Sequence, residues 1–173
     1  MTIDPARLLA EAHAARLLAR AALTGPKSAQ ISVHDVWAHV RRLPGAPVSL
    51  ALERAIRSDT VLAARYRMML ASLSVAHAPF AIAASDGAIT QRRVGVCAFQ
   101  IIEHVDAPAL LVIRLNGGAV PTMLEITLVD DRLRIALPDP AEGAIILSLD
   151  PNHAEAVELR RMVQDPASEI FLF

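Results

Sequence analysis

Apolar residues recur along this chain with two different periods, and the change falls near Pro79. Before Pro79 they return every three or four positions, as on one face of a helix; after it they alternate, gain β-branched types and are broken by turn dipeptides. The first stretch predicts four helices. Asp4-Pro5 starts one, with aspartate as N-cap and proline in the first turn, and Leu8, Leu9, Ala12, Ala15, Leu18, Ala19 and Ala22 form its stripe until Gly25-Pro26. Residues 24–31 read as a linker. Ser32 opens a short second helix, with Asp35 completing a capping box and Val33, Val36, Trp37 and Val40 as its apolar side. A third starts at Pro47. Ser58-Asp59-Thr60 is an N-cap signature that predicts a corner before a fourth, which carries Val61, Leu62, Tyr66, Met69, Leu70 and Leu73.

Beyond Pro79 the pattern predicts about seven strands, mostly antiparallel. Asp86-Gly87 suits a hairpin between Ala81–Ser85 and Ala88–Arg93. Val96–Val105 and Ala109–Leu115 flank a turn at Asp106-Ala107-Pro108, and Asn116-Gly117-Gly118 marks the next turn. In Met123–Val129 and Arg132–Leu137, joined through Asp130-Asp131, Leu124, Ile126 and Leu128 share a face with Leu137, Ile135 and Leu133. Glu125 and Thr127 then share the other face with Arg134 and Arg132, where charges pair across strands. Ala144–Leu149 is a further strand, Asp150-Pro151 starts a late helix that runs to Asp165-Pro166, and Ile170–Phe173 is an apolar end expected to lie buried in the sheet. The fold class is α+β, helices first and a sheet or sandwich after. Residues 1–78 form a helical region and 79–173 a strand-rich one, which together can make one continuous fold.

Charge sharpens this division. The chain has a formal net charge of −1. Residues 1–77, however, hold ten Arg and Lys against five Asp and Glu, while residues 78–173 hold seven against thirteen. Either the two halves dock on each other, or the basic helices meet an acidic partner. Composition excludes other classes. Apolar residues make up 54% of the chain and mean hydropathy is +0.40, too high for wholesale disorder, yet no run of about 18 apolar residues lacks a charge. No signal peptide or membrane anchor is legible, so the expectation is a cytoplasmic protein.

Chemistry-bearing motifs are missing. Cys97 is the only cysteine, so an internal disulfide and a thiolate metal cluster are excluded, and its neighbours Val96 and Ala98 point to a buried strand position. Asp35 and His39 share a helix face, but two ligands do not make a metal site. Nucleophile elbow, P-loop and dinucleotide patterns are absent. The reading therefore assigns no catalytic residue, metal or cofactor. Nucleic acid is disfavoured, because 3% aromatic content leaves no stacking platform and the fourth helix is dominated by Ala, Leu and Met.

Residues 30–75, with His34-Asp35-Val36-Trp37-Ala38, a Pro-Gly break and Ser58-Asp59-Thr60-Val61-Leu62-Ala63-Ala64-Arg65-Tyr66, resemble the N-terminal helical region of bacterial anti-sigma factors. That family's zinc motif and the transmembrane helix that usually follows are absent here. The charge split and the absence of chemistry motifs point to a non-enzymatic interaction protein of the bacterial cytoplasm, and the resemblance implies a regulatory one. The charge split adds an apolar groove with Trp37, Arg41, Arg42, Arg54, Arg57, Arg65 and Tyr66 as its partner-binding residues. The rival expectation is a small-molecule-binding or enzymatic strand domain, with a ligand near His104, Asp106 and Arg114. Self-association through exposed Met and Leu of the fourth helix is compatible with both.

Overall fold

A computed structural model describes residues 31–79, 89–129 and 131–173 of the chain. The helix expected from Asp4, most of the linker and the hairpin at Asp86-Gly87 fall outside them. Two compact units divide the chain, Met1–Val36 and Trp37–Phe173. Helix α1 (Val33–Val40) runs across that division. Its start is the predicted capping box: the Ser32 backbone N–H and hydroxyl donate to Asp35 Oδ2 at 2.8 and 2.7 Å, and the Asp35 N–H donates back to Ser32 Oγ at 3.1 Å.

The next helix, α2 (Leu50–Ser58), begins three residues later than Pro47 predicts, because Ser49 and not the proline supplies the cap: its side chain accepts from the Leu52 N–H. The corner at Ser58-Asp59-Thr60 is present. Asp59 closes α2 by donating its N–H to the Ala55 carbonyl at 2.9 Å, and opens α3 (Thr60–Leu73) by accepting from the Val61 and Leu62 N–H groups at 2.8 and 3.1 Å. One aspartate thus ends a helix and starts another, which fixes the angle between them. The helical stretch stops at Leu73 rather than at Pro79, and Ala76–Ala78 is already a strand, β1.

Among the described residues the fold is α+β, with four helices and eight strands, and every strand pairing is antiparallel. One four-stranded sheet runs β1, β8 (Glu169–Leu172), β5 (Met123–Thr127), β6 (Arg132–Ala136); the other runs β2 (Gln91–Val94), β3 (Cys97–Ile102), β4 (Ala109–Arg114), β7 (Ala144–Leu149). Strand alternation gives each sheet one apolar face. Those faces meet in a single core, with Ala76, Leu124, Ile126, Ile135, Ile170 and Leu172 from the first sheet and Phe99, Ile101, Leu111, Ile113 and Ile145 from the second. Helix α4 (Ala154–Gln164) adds Leu159, Met162 and Val163 to it. The C-terminal strand is buried at all four positions, held between β1 and β5. Because β1 pairs with β8, residues on the two sides of position 78 share one sheet.

Three local expectations change. A tight turn at Gly95-Val96 joins β2 to β3, and Gly95 takes a φ of +56°, open to glycine at little cost. In the β5–β6 hairpin the faces are as expected but the register differs by two residues: Leu124 lies opposite Ile135 and Glu125 opposite Arg134. The Leu128 N–H donates to the Asp131 carbonyl, where the expected register sets Leu128 opposite Leu133. Helix α4 starts at Ala154, not at Asp150-Pro151, because Asp150 uses its carboxylate to accept the Asn152 N–H at 2.8 Å in a turn of its own. No helix among the described residues is long and apolar enough to cross a membrane.

Candidate functional site

The hairpin's alternation has a consequence on the side away from the sandwich core. Glu125, Thr127, Arg132 and Arg134 there sit beneath α2 and α3, so a polar cluster lies among the apolar side chains that these helices bury, Leu52, Ile56, Leu62, Met69 and Leu70. Glu125 is the centre of it. Its Oε2 accepts from Arg134 Nε at 2.6 Å and from Arg134 Nη2, while Oε1 accepts from the Tyr66 hydroxyl. The two charged side chains are 1% and 3% exposed, so this is a desolvated ion pair whose lone pairs and protons are used up by partners. Arg134 Nη1 continues to the Arg42 carbonyl at 2.7 Å and the His39 carbonyl at 3.4 Å, placing a cation at the C-terminal end of α1. Burial and the adjacent Glu125 carboxylate push the Tyr66 phenol well above its ordinary range.

A second cluster adjoins the first. Glu53 Oε1 lies 3.0 Å from His39 Nε2, and its Oε2 accepts from Arg132 Nη2. The Arg132 guanidinium in turn sits 5.0 Å from the centre of the Tyr66 ring, a cation–π distance. His39, above all, and Arg132 hold the Glu53 carboxyl below its ordinary range, against the effect of burial. Farther along the same sheet face, Arg67 Nε is 3.8 Å from Glu169.

These pairs bear on the charge split in an unexpected way. The helices that carry the positive excess contribute the acid Glu53 to the seam, and the acidic strands contribute Arg132 and Arg134. Between the helices and the strands one ion pair joins minority charges, Glu53 with Arg132, and one joins majority charges, Arg67 with Glu169.

The expected partner-binding residues separate accordingly. Arg41, Arg54, Arg57 and Arg65 are exposed, whereas Trp37 and Arg42 are half-buried. Tyr66 is 1% exposed and committed to Glu125, so it belongs to the seam. The alternative set is not brought together. His104 and Asp106 are exposed in the β3–β4 connection, while Arg114 stands at the far end of β4, opposite Ala98 and Ala144. Arg114 instead lines a groove of about 260 Å3 with Gln91, Arg93, Ala98 and Gln100. Cys97 is buried, and burial raises its thiol pKa. Among the described residues no three His, Cys, Asp or Glu side chains converge on a point that would hold a metal ion.

Sequence reasoning put Glu125 and Thr127 on one face with Arg132 and Arg134 but missed Glu53 and His39 as members of the same layer. One signal was available: Glu53 is the sole acid between Asp35 and Asp59, on a stretch otherwise rich in arginine. An acid so placed, on the buried side of an amphipathic helix, asks for a cation beneath it. Comparison with family models, with curated proteins and with solved structures returned no match.

Proposed function

We propose that this protein is a non-enzymatic interaction protein that binds an acidic segment of a protein partner on the outer face of α2 and α3. The observation that carries this reading is the make-up of that face. Arg54, Arg57 and Arg65 are exposed on it and make no ion pair with the described residues. Between them stand Leu50, Val61 and Met68, each about two-thirds exposed at 67%, 67% and 66%. Helix α3 has no acidic residue, and the only one on α2, Glu53, is turned inward. Cations interleaved with large apolar side chains suit a partner that offers carboxylates and an apolar stripe together. Buried ion pairs already neutralise the charges inside the seam, so this outer excess has no internal purpose.

The test uses a fluorescently labelled acidic amphipathic peptide and a control in which its carboxylates are replaced by amides. Binding is expected only for the acidic peptide, weakening as salt rises and lost in a protein carrying R54E and R65E. Equal binding of both peptides, or binding indifferent to the charge reversals, overturns the proposal.

A second reading rests on the groove between Arg93 and Arg114. Two arginines flanking the small Ala98, with Gln91 and Gln100 alongside, fit a small anionic ligand laid across the strands. A thermal-shift survey of anionic metabolites supports that reading if a hit disappears on R93A or R114A; a survey with no such hit removes it.

A further inference from the structure

The seam has one unfinished corner. Where α2 and α3 meet the end of the β5–β6 hairpin, a cavity of about 30 Å3 is lined by Arg57, Arg67, Tyr66, Thr127 and Arg132, and apolar side chains, Ile56 among them, make up the rest of its wall. Thr127 and Arg132 face each other directly across the strand pair. Both residues line the cavity, and the Thr127 hydroxyl and Arg132 Nη1 are buried with no hydrogen-bond partner among the described residues. Thr127 is 4% exposed and the Arg132 side chain 12%, so bulk water does not satisfy them. Unpaired buried donors of this kind are uncommon and call for an acceptor.

Charge says which acceptor. Three guanidinium groups line the cavity, and two carboxylates neutralise them, Glu53 on Arg132 and Glu169 on Arg67. Arg57, exposed at the mouth, has no carboxylate partner among the described residues. One positive charge is left over, beside two donors that lack an acceptor. Size narrows the choice further: about 30 Å3 holds two or so water-sized atoms, too few for a metabolite but enough for the leading oxygens of an oxyanion. Guanidinium groups bind such oxygens in pairs.

We infer that this corner is a seat for a single oxyanion group, held by Arg57, Arg132 and the Thr127 hydroxyl. The group is either a free oxyanion such as phosphate or a carboxylate from the acidic partner proposed above; only the second source rests on that proposal. Arg132 Nη1 and Thr127 Oγ1 supply the two inner hydrogen bonds, and Arg57 closes over the outer oxygen.

The experiment measures two ligands against the same variants of the full chain. Inorganic phosphate is titrated at constant ionic strength and followed by calorimetry and thermal shift, and the acidic peptide is titrated in parallel. Thr127→Val removes only the hydroxyl and keeps the side-chain shape, and Arg57→Gln changes an exposed residue, so both variants are expected to fold. A free-anion seat shows phosphate binding that falls about tenfold in each variant. A partner-carboxylate seat shows no phosphate response but a peptide affinity that falls about as much in both. The inference is overturned if phosphate does not bind and peptide affinity ignores Thr127→Val, or if phosphate binds equally well to both variants. R54E and R65E lie outside the cavity. Loss of peptide binding in those, with phosphate binding intact, separates failure of the docking face from failure of this seat.

Discussion

The hydroxyl of Tyr66 donates to the carboxylate of Glu125, from a helix to a strand that lies 59 positions later in the chain. Glu125 is at the same moment the direct cross-strand neighbour of Arg134. A single buried carboxylate thereby joins the helical layer to the sheet, and the stability of the seam is accessible through it.

Tyr66→Phe removes this bond without emptying space. Because the acceptor is charged, the expected loss is about 1.5–3 kcal/mol in urea-induced unfolding. Tyr66 is the only tyrosine, so ultraviolet absorbance titrates it alone. Its phenol is held above the ordinary value of 10.0 by burial and by Glu125, and no phenolate is expected at pH 10 while the protein remains folded. Phenolate absorbance at that pH in a sample with native circular dichroism contradicts the burial described.

Breaking the Glu125–Arg134 pair on one side leaves the other charge stranded in a desolvated site. Glu125→Ala or Arg134→Ala each costs about 3–5 kcal/mol. The double substitution E125L/R134M removes both charges while filling the volume, and is expected to recover most of that loss. Chemical denaturation of the three variants checks this; a double variant as unstable as the sum of the singles means that the two side chains act independently and the pairing described is not what stabilises the seam.

Acid sensitivity comes from two places, with the same sign. Glu53 is held below its ordinary value of 4.5, chiefly by His39. The folded state then binds fewer protons than the unfolded one, so this stability is present above about that pH and is lost as pH falls through the lowered value. His77, stacked on Phe171 with ring centroids 4.5 Å apart, is pushed below 6.5 by burial, with Arg92 acting in the same sense and Glu169 in the opposite one. It too stabilises above its unfolded value, and that contribution fades as pH drops below 6.5. Melting temperatures from pH 7 to 3 are expected to decline in two steps, the upper one reduced by H77F and the lower one by E53Q.

Gly95 tests the β2–β3 turn. A Cβ placed there meets the Ala76 side chain at 3.0 Å, and the φ of +56° is unfavourable for other residues. Gly95→Ala is expected to cost about 1–3 kcal/mol from backbone strain alone, before any shift of β1. Unchanged stability indicates that the β2–β3 turn accepts a side chain without strain.

Much of the fold was legible because the rules that made it are local. Asp59 ends one helix and begins the next through bonds spanning four residues or fewer, and Ser32 with Asp35 forms its cap within one turn. Alternation in residues 123–137 assigned every side chain of the hairpin to its face, since a shift by two residues leaves the faces unchanged. For the same reason it left the register open, and Glu125 was matched to Arg134 only by face. Proline misled at Pro47 and Pro151, where Ser49 and Asp150 bind the backbone first.

By itself, then, the sequence determined which residues are helical, which alternate, and where the positive and negative excesses lie. Only the tertiary structure decided that β1 pairs with β8, that Glu53 turns towards Arg132, and that Thr127 and Arg132 share a cavity beside Arg57. The physical reason is range. Caps and periodicity are set by neighbours a few residues apart, whereas a buried polar layer depends on sheet order and register, which bring together groups separated by more than half the chain's described length.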